Sequence, residues 1–461
     1  MLAASPAARA AFWGIEVADL ETGRIIYQQN ATRFFVPASN AKLFSTALAL
    51  TRLGPEFTFQ TRVLADAPPD AAGRIAGGLR LVGGGDPNLS PRYIPYRMGA
   101  ITGNPLAAIE DLATQVAARG VKRIEGDVIG DDTWYVWEPY APGWGIDDPQ
   151  FDYGAPVSAL TVNDNTLVVT VRPGEREGDP AAITINPALE YYGIANRVRT
   201  VAARGERRVL WHRSPGSYQL ELWGTMPLGS RGEELTLGIE DPAQYAAMAL
   251  LQALEERGIM VTGEAVARHA LPGEAAEADS GQELARRTSA PLLEDLRITA
   301  KVSQNLHAEM ALRAVGRAMR GEGSREAGLE ELKSFLAEAE VTPDGYEMHD
   351  GSGLARTDLV TPRAVVALLR YMYAGAQREN FISLLPVASQ DGTLSERLGG
   401  KAVAGRIFAK TGSLAHVNAL SGYARGARGN WIAFSILVNN SHAPAGEIRA
   451  VMDRICTLIL E

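Results

Sequence analysis

Ser39 and Lys42 stand three positions apart in PASNAKLF, residues 37–44, the one S-x-x-K spacing in the chain. A serine hydroxyl is a poor nucleophile until a neighbouring base takes its proton. A buried lysine can be that base, because burial disfavours its charged form. A capping serine beside a surface lysine is the bland alternative, and two further stretches weigh against it. KVSQN sets Ser303 and Asn305 in an S-x-N spacing, and AKTGS carries Lys410-Thr411-Gly412 followed by Ser413. In this assembly Ser39 would attack a carbonyl and Lys42 would accept its proton, with Lys410 as the second cation that depresses the Lys42 pKa. Ser303 would bridge the two lysines and pass a proton to a leaving amine. Asn305 offers an amide to a substrate carbonyl. Backbone N–H groups of Ser39, at a helix start, and of Ser413 would face a developing oxyanion. Lys410, Thr411 and Ser413 together suit a carboxylate.

The few lysines sharpen this reading. Of 45 basic residues only six are lysines, and two of those six fall inside the motifs. Arginine holds its charge permanently, so a lysine kept in an arginine-rich chain is informative where a base is needed.

These groups need elements to position them. AFWGIEVADL and GRIIYQQN read as a hairpin joined by the turn ETG. Beyond Pro37, apolar Leu43, Phe44, Ala47, Leu48 and Leu53 recur at helical spacing until Gly54-Pro55, which places Ser39 and Lys42 on one face of a first turn. From about 63 to 286 short β-like runs alternate with Gly- and Pro-rich turns, interrupted by helical stretches near 104–119 and 242–257. From 287 helical texture returns in SAPLLEDLRITAKVSQNLHAEMALRAVGRAM, with further helices near 325–340 and 362–375. A meander of GRIFAKTG, VNALSGYAR and WIAFSILVNN follows, then an amphipathic helix at about 445–459. One domain built from both chain ends, an antiparallel sheet with helices on its faces, satisfies the pattern.

With its three motifs in this order, the chain resembles the class C low-molecular-mass penicillin-binding proteins. These are the penicillin-binding protein 4 type D-Ala-D-Ala carboxypeptidase/endopeptidases of peptidase family S13. The separation of 264 from Ser39 to Ser303 leaves room for that family's inserted domains. LRLVGGGDPNLS, GWGIDDPQFDYGAPVSALTVNDNT, DGSGLARTDLVTP, VASQDGTLSERL and KTGSLAHVNALSGYA resemble family patterns too. One departure is His416 or its neighbours, where the family often carries a hydroxyl residue.

The resemblance implies an α/β (α+β) fold: a DD-peptidase/β-lactamase-like domain with an antiparallel sheet flanked by helices, plus inserted mainly-β domains. The expected division is 1–62 and 287–461 for the catalytic domain and 63–286 for the insertion, nested as 63–90 plus 160–286 and 91–159. Implied partners are peptidoglycan stem peptides as substrate and β-lactam antibiotics as covalent inhibitors. The implied location is periplasmic or extracytoplasmic, with the signal peptide absent from this chain. Asp148, with Asp147 adjacent, and Arg356 match family residues that contact the free end of the stem peptide's diamino acid. Leu354 and Trp144 would line the apolar part, and Thr411, Gly412 and Ser413 would complete the substrate strand.

Composition excludes other classes. The 461 residues are 46% hydrophobic and 21% charged, those of a globular protein of two or three domains. A net charge of −9 without a basic run argues against nucleic acid. No apolar stretch approaches the ~18 residues of a membrane span. Cys456 is alone, so no internal disulfide forms. Six histidines show no paired ligand spacing, so neither metal nor cofactor is expected. VGGGDP lacks a phosphate-binding pattern, and there is no G-x-S-x-G elbow. Two other readings use the same residues. A β-lactamase or esterase is disfavoured by the wide motif gap and by the lack of an assignable deacylating glutamate. A non-catalytic wall-binding protein is disfavoured by the intact motifs.

Overall fold

A computed structural model describes residues 2, 5–99, 103–274 and 280–461; the rest of the Ala-rich start, residues 1, 3 and 4, lies outside the described residues. Its central element is a five-stranded antiparallel sheet in the order Ile25–Gln29, Phe12–Asp19, Trp431–Asn439, Val417–Arg425, Ile407–Leu414. The N-terminal hairpin therefore docks against the C-terminal meander, with Ile15 opposite Ile436 and Val17 opposite Phe434.

Period-two alternation divides the side chains of this sheet between two cores. Leu420, Ala424, Ile432, Phe434 and Ile436 pack with Ile448, Val451, Met452 and Cys456 of the C-terminal helix Ala445–Ile459. Ala419, Tyr423, Ala433 and Leu437 face the opposite side, where helices Lys42–Arg52, Asn305–Arg320 and Pro362–Ala374 pack. Ser39 and Lys42 thus lie on the second face, close to the sheet's free edge strand Ile407–Leu414.

The long helical run after 287 is two helices, Leu292–Lys301 and Asn305–Arg320. The break falls on the S-x-N motif. Ser303 has φ +66, a left-handed conformation that no helix interior accommodates, and the Gln304 side chain caps the second helix by accepting from Leu306 N–H. Intrinsic propensity favours an unbroken helix here, and tertiary packing overrides it.

Within 60–288 the hydrogen bonding divides the chain differently from the expected nesting. Strands Ala265–Ala270, Val128–Val136, Leu79–Val82, Gln60–Ala65 and Gln282–Thr288 form one sheet in that order. Its parallel pairs, Leu79 with Val128 and Ala265 with Val128, require crossover connections. Helices Ala107–Ala118 and Pro242–Glu255 supply the covering layer. Residues 107–136 therefore join this α/β layer rather than a separate unit spanning 91–159. The β-rich part proper is 166–238, two three-stranded sheets.

Candidate active site

Pro37 leads into a short 3-10 turn, Ala38–Ala41, and the α-helix proper begins at Lys42. Ser39 sits inside that tight turn, where the first N–H groups have no partner within the helix. Lys42 has no solvent exposure. Its Nζ donates to Ser39 Oγ at 2.9 Å, to Asn305 Oδ1 at 2.6 Å and to the Ser352 carbonyl at 2.7 Å. Three acceptors use all three ammonium hydrogens, so a neutral Lys42 points a lone pair at one of them. Burial pulls the Lys42 pKa down to about 7, against the opposing charges of Asp350, Glu309 and Asp358. Lys42 is therefore poised to exchange a proton with the Ser39 hydroxyl near neutral pH.

The second lysine is equally buried. Lys410 Nζ donates to Ser303 Oγ at 2.8 Å and to the Thr411 carbonyl at 2.9 Å. Burial first, and the Lys42 charge second, push its pKa well below the usual lysine value. Two details differ from expectation. Ser303 contacts Lys410, while Lys42 reaches Asn305, so the bridge between lysines is not a single serine. Burial, not the second cation, is the main cause of the Lys42 shift.

Strand Ile407–Leu414 lies against the Ser39 turn. A Cβ on Gly412 would stand 3.1 Å from Ser39 N and 2.8 Å from the Pro37 carbonyl, so the strand's approach needs a residue without a side chain there. Asn40 clamps the same strand by donating to the Lys410 carbonyl at 3.0 Å. Ala409 N–H points away from the sheet to the Pro386 carbonyl. By alternation Thr411 and Ser413 turn their N–H groups to that open side as well. Ser39 and Ser413 can therefore offer two N–H groups to one oxyanion.

A cleft of about 420 Å³ runs over these groups, lined by Ser39, Ser303, Asn305 and Ser413, and by Asp148, Leu354 and Arg356 from two separate loops. Asp148 accepts from Gly145 N–H at 2.7 Å, which fixes its carboxylate. The Arg356 guanidinium is exposed and has no hydrogen-bonding partner among the described residues. Thr411 is held by a hydroxyl contact to Thr393 at 2.8 Å. Trp144 is half-buried. Its ring packs against the main core and its Nε1 donates to Asp350 Oδ2 at 2.9 Å, a structural use of the indole. His416 sits in the turn after the strand, with Nδ1 2.9 Å from the Ser441 carbonyl oxygen.

Several contributors escape a reading by motif. Asn305 Nδ2 donates to the Tyr153 carbonyl at 2.7 Å, and Tyr153 lines the cleft beside Asp148. Burial, then the Asp148 charge, push its phenol up to about 12. Beneath the site lie three buried acids. Asp350 accepts from the N–H groups of Gly353 (2.6 Å), Ala355 (2.7 Å) and Ser352 (3.1 Å). Glu309 accepts from Gly351 and Ser352 at 2.9 and 2.8 Å. Asp358 accepts from His349 N–H at 2.6 Å. Together they hold the turn whose carbonyl grips Lys42. Burial and the neighbouring Asp350 raise Glu309 to about 7 and Asp358 well above its usual range. The stretch HDGSGLARTD was the available signal for two of them. Glu309 gave none. Among the described residues no cluster of metal-ligating side chains occurs.

Comparison with known proteins identifies the family. The D-Ala-D-Ala carboxypeptidase 3 (S13) family model matches residues 1–458. The D-alanyl-D-alanine carboxypeptidase of Actinomadura sp. (strain R39) is 34% identical over 99% of this chain and 82% of its own length. The D-alanyl-D-alanine carboxypeptidase DacB of Haemophilus influenzae is 25% identical over 92% of this chain and 85% of its own. The crystal structure of penicillin binding protein 4 from Haemophilus influenzae superposes with TM-score 0.81 at 24% identity, covering 97% of both chains, and so shares the fold. From a family match over nearly the whole sequence and a relative above 30% identity, the chain belongs to the D-Ala-D-Ala carboxypeptidase 3 (S13) family.

Proposed function

We propose that the protein is a serine DD-peptidase acting on peptidoglycan stem peptides outside the cytoplasm, through an acyl-enzyme at Ser39. The observation that carries this reading is the contact of 2.9 Å between Ser39 Oγ and a fully buried Lys42 Nζ held near neutrality. Ser39 Oγ attacks the carbonyl of the penultimate D-alanine while its proton passes to Lys42. The oxyanion is held by the N–H groups of Ser39 and Ser413. On collapse the C–N bond breaks, and the leaving amine takes the proton that Lys42 received from Ser39, while the Ser303 hydroxyl, held by Lys410, orients its nitrogen. Water then enters, gives a proton to the neutral Lys42 and adds to the ester carbonyl, and on collapse that proton returns to Ser39 Oγ as the acid leaves. β-Lactams acylate the same hydroxyl and leave a slowly hydrolysed ester.

Asp148 and Arg356 present opposite charges in the same cleft. A diamino acid side chain bearing a free ammonium and a free carboxylate matches them, with Leu354 against its methylenes. Incubation with a DD-terminal stem peptide and with a crosslinked dimer, followed by mass spectrometry, tests the reading. Loss of one terminal D-alanine is the carboxypeptidase outcome, and separation of the dimer the endopeptidase outcome. Neither product from either substrate would refute it.

A further inference from the structure

The leaving residue of such a substrate carries a free carboxylate, and that charge needs a cation within reach of the Ser413 end of the cleft. Lys410 is poorly placed for this. It is fully buried, and two of its hydrogens are committed to Ser303 Oγ and the Thr411 carbonyl. The Ser413 hydroxyl lines the cleft but is neutral, and the Thr411 hydroxyl is already bonded to Thr393.

A permanent charge stands beside them. Arg449 belongs to the C-terminal helix Ala445–Ile459, which packs on the opposite face of the sheet. Its side chain reaches the edge strand, and Nη2 donates to Ser413 Oγ at 3.1 Å. Among the described residues Arg449 forms no ion pair, so its charge is uncompensated. Because the Ser413 oxygen accepts from the guanidinium, the serine's own hydrogen is free to donate into the cleft. The other guanidinium N–H groups can engage the same carboxylate, in the fork geometry that arginine offers.

Resting on the acyl-enzyme reading above, we infer that Arg449 is the cation of the leaving-group subsite, binding the free carboxylate of the departing residue together with the Ser413 hydroxyl. The ligand class is a small carboxylate on the carbon next to the scissile nitrogen. The ring carboxylate of a penicillin presents the same group in the same place.

Benzylpenicillin and its methyl ester separate the charge from everything else. Second-order acylation rates would be measured by intact mass for the wild-type chain, Arg449→Gln and Arg449→Lys. The wild-type chain should prefer the free acid. Arg449→Gln should lose about tenfold on the acid and change less than threefold on the ester, so the preference collapses. Arg449→Lys should recover part of it. Equal losses on both probes, or an undiminished preference in Arg449→Gln, would overturn the assignment. Absence of any adduct on the wild-type chain would instead overturn the acyl-enzyme reading, and this inference with it.

Discussion

Glu309 and Lys42 make no direct contact, yet one residue joins them. Ser352 N–H donates to Glu309 Oε1 at 2.8 Å, and the Ser352 carbonyl accepts from Lys42 Nζ at 2.7 Å. A buried acid thereby helps to position the base and, behind burial and Asp350, contributes to its electrostatic field.

That relationship fixes a pH dependence. Lys42 serves as a base only when neutral, and its pKa lies at about 7. Acylation by a β-lactam should therefore rise with pH through about 7 and level off above it. The Glu309 charge favours protonated Lys42. In Glu309→Gln that charge is gone, so the Lys42 pKa falls and the rising limb moves to lower pH. Rapid-mixing acylation rates between pH 5 and 9 read this directly. A slower variant with an unmoved limb would mean that Glu309 acts through structure alone.

The nucleophile and base are tested by intact mass after benzylpenicillin. One adduct is expected on the wild-type chain and none on Ser39→Ala. Lys42→Arg should abolish acylation although it keeps the charge, because arginine does not release its proton at working pH. Acylation of Lys42→Arg at the wild-type rate would rule out lysine as the base.

How much of this was legible beforehand depended on the range of the interaction. Ser39 with Lys42, and Lys410 with Thr411 and Ser413, are short spacings on one helix start and one strand, and periodicity placed both elements. Ser303 was legible as a motif but not as a helix break, since the left-handed turn there is imposed by packing. Asp350, Asp358 and Glu309 were not legible as a group. They act through backbone N–H groups, which no side-chain pattern announces. The tie of Trp144 to Asp350 was not legible either, since an aromatic in a loop can turn either way and here a buried carboxylate draws its N–H inward. Arg449 lies 36 residues from Ser413, on a helix across the sheet, and only the folded chain brings them together.

The turn beneath Ser39 offers a stability test. Gly353 has φ +78, and a Cβ there would lie 1.9 Å from the Ala38 carbonyl oxygen, one residue before the nucleophile. Both the conformation and the space exclude a side chain. Gly353→Ala should cost at least ~2 kcal/mol in urea unfolding. It should also slow acylation of the molecules that remain folded, because Ala38 must move. Wild-type stability with a wild-type acylation rate would show that the turn yields freely.

Specificity supplies the last test. Asp148 and Arg356 come from loops about 200 positions apart in sequence, and both line the cleft that contains Ser39. A side chain ending in an ammonium and a carboxylate gives each of them a charged partner. An acetylated side chain removes the ammonium and leaves the Asp148 carboxylate facing a neutral amide, with desolvation uncompensated. Peptides with a free diamino acid end should therefore be cleaved faster than acetylated analogues, by ~10- to 100-fold in kcat/KM, or roughly 1.4–2.8 kcal/mol. Asp148→Ala should erase most of that preference while penicillin still acylates Ser39, since Asp148 lies outside the proton path through Lys42. Arg356→Ala should weaken binding of free and acetylated peptides alike, because both retain the carboxylate. Equal wild-type rates on free and acetylated peptides would remove the charge pair from the account of specificity.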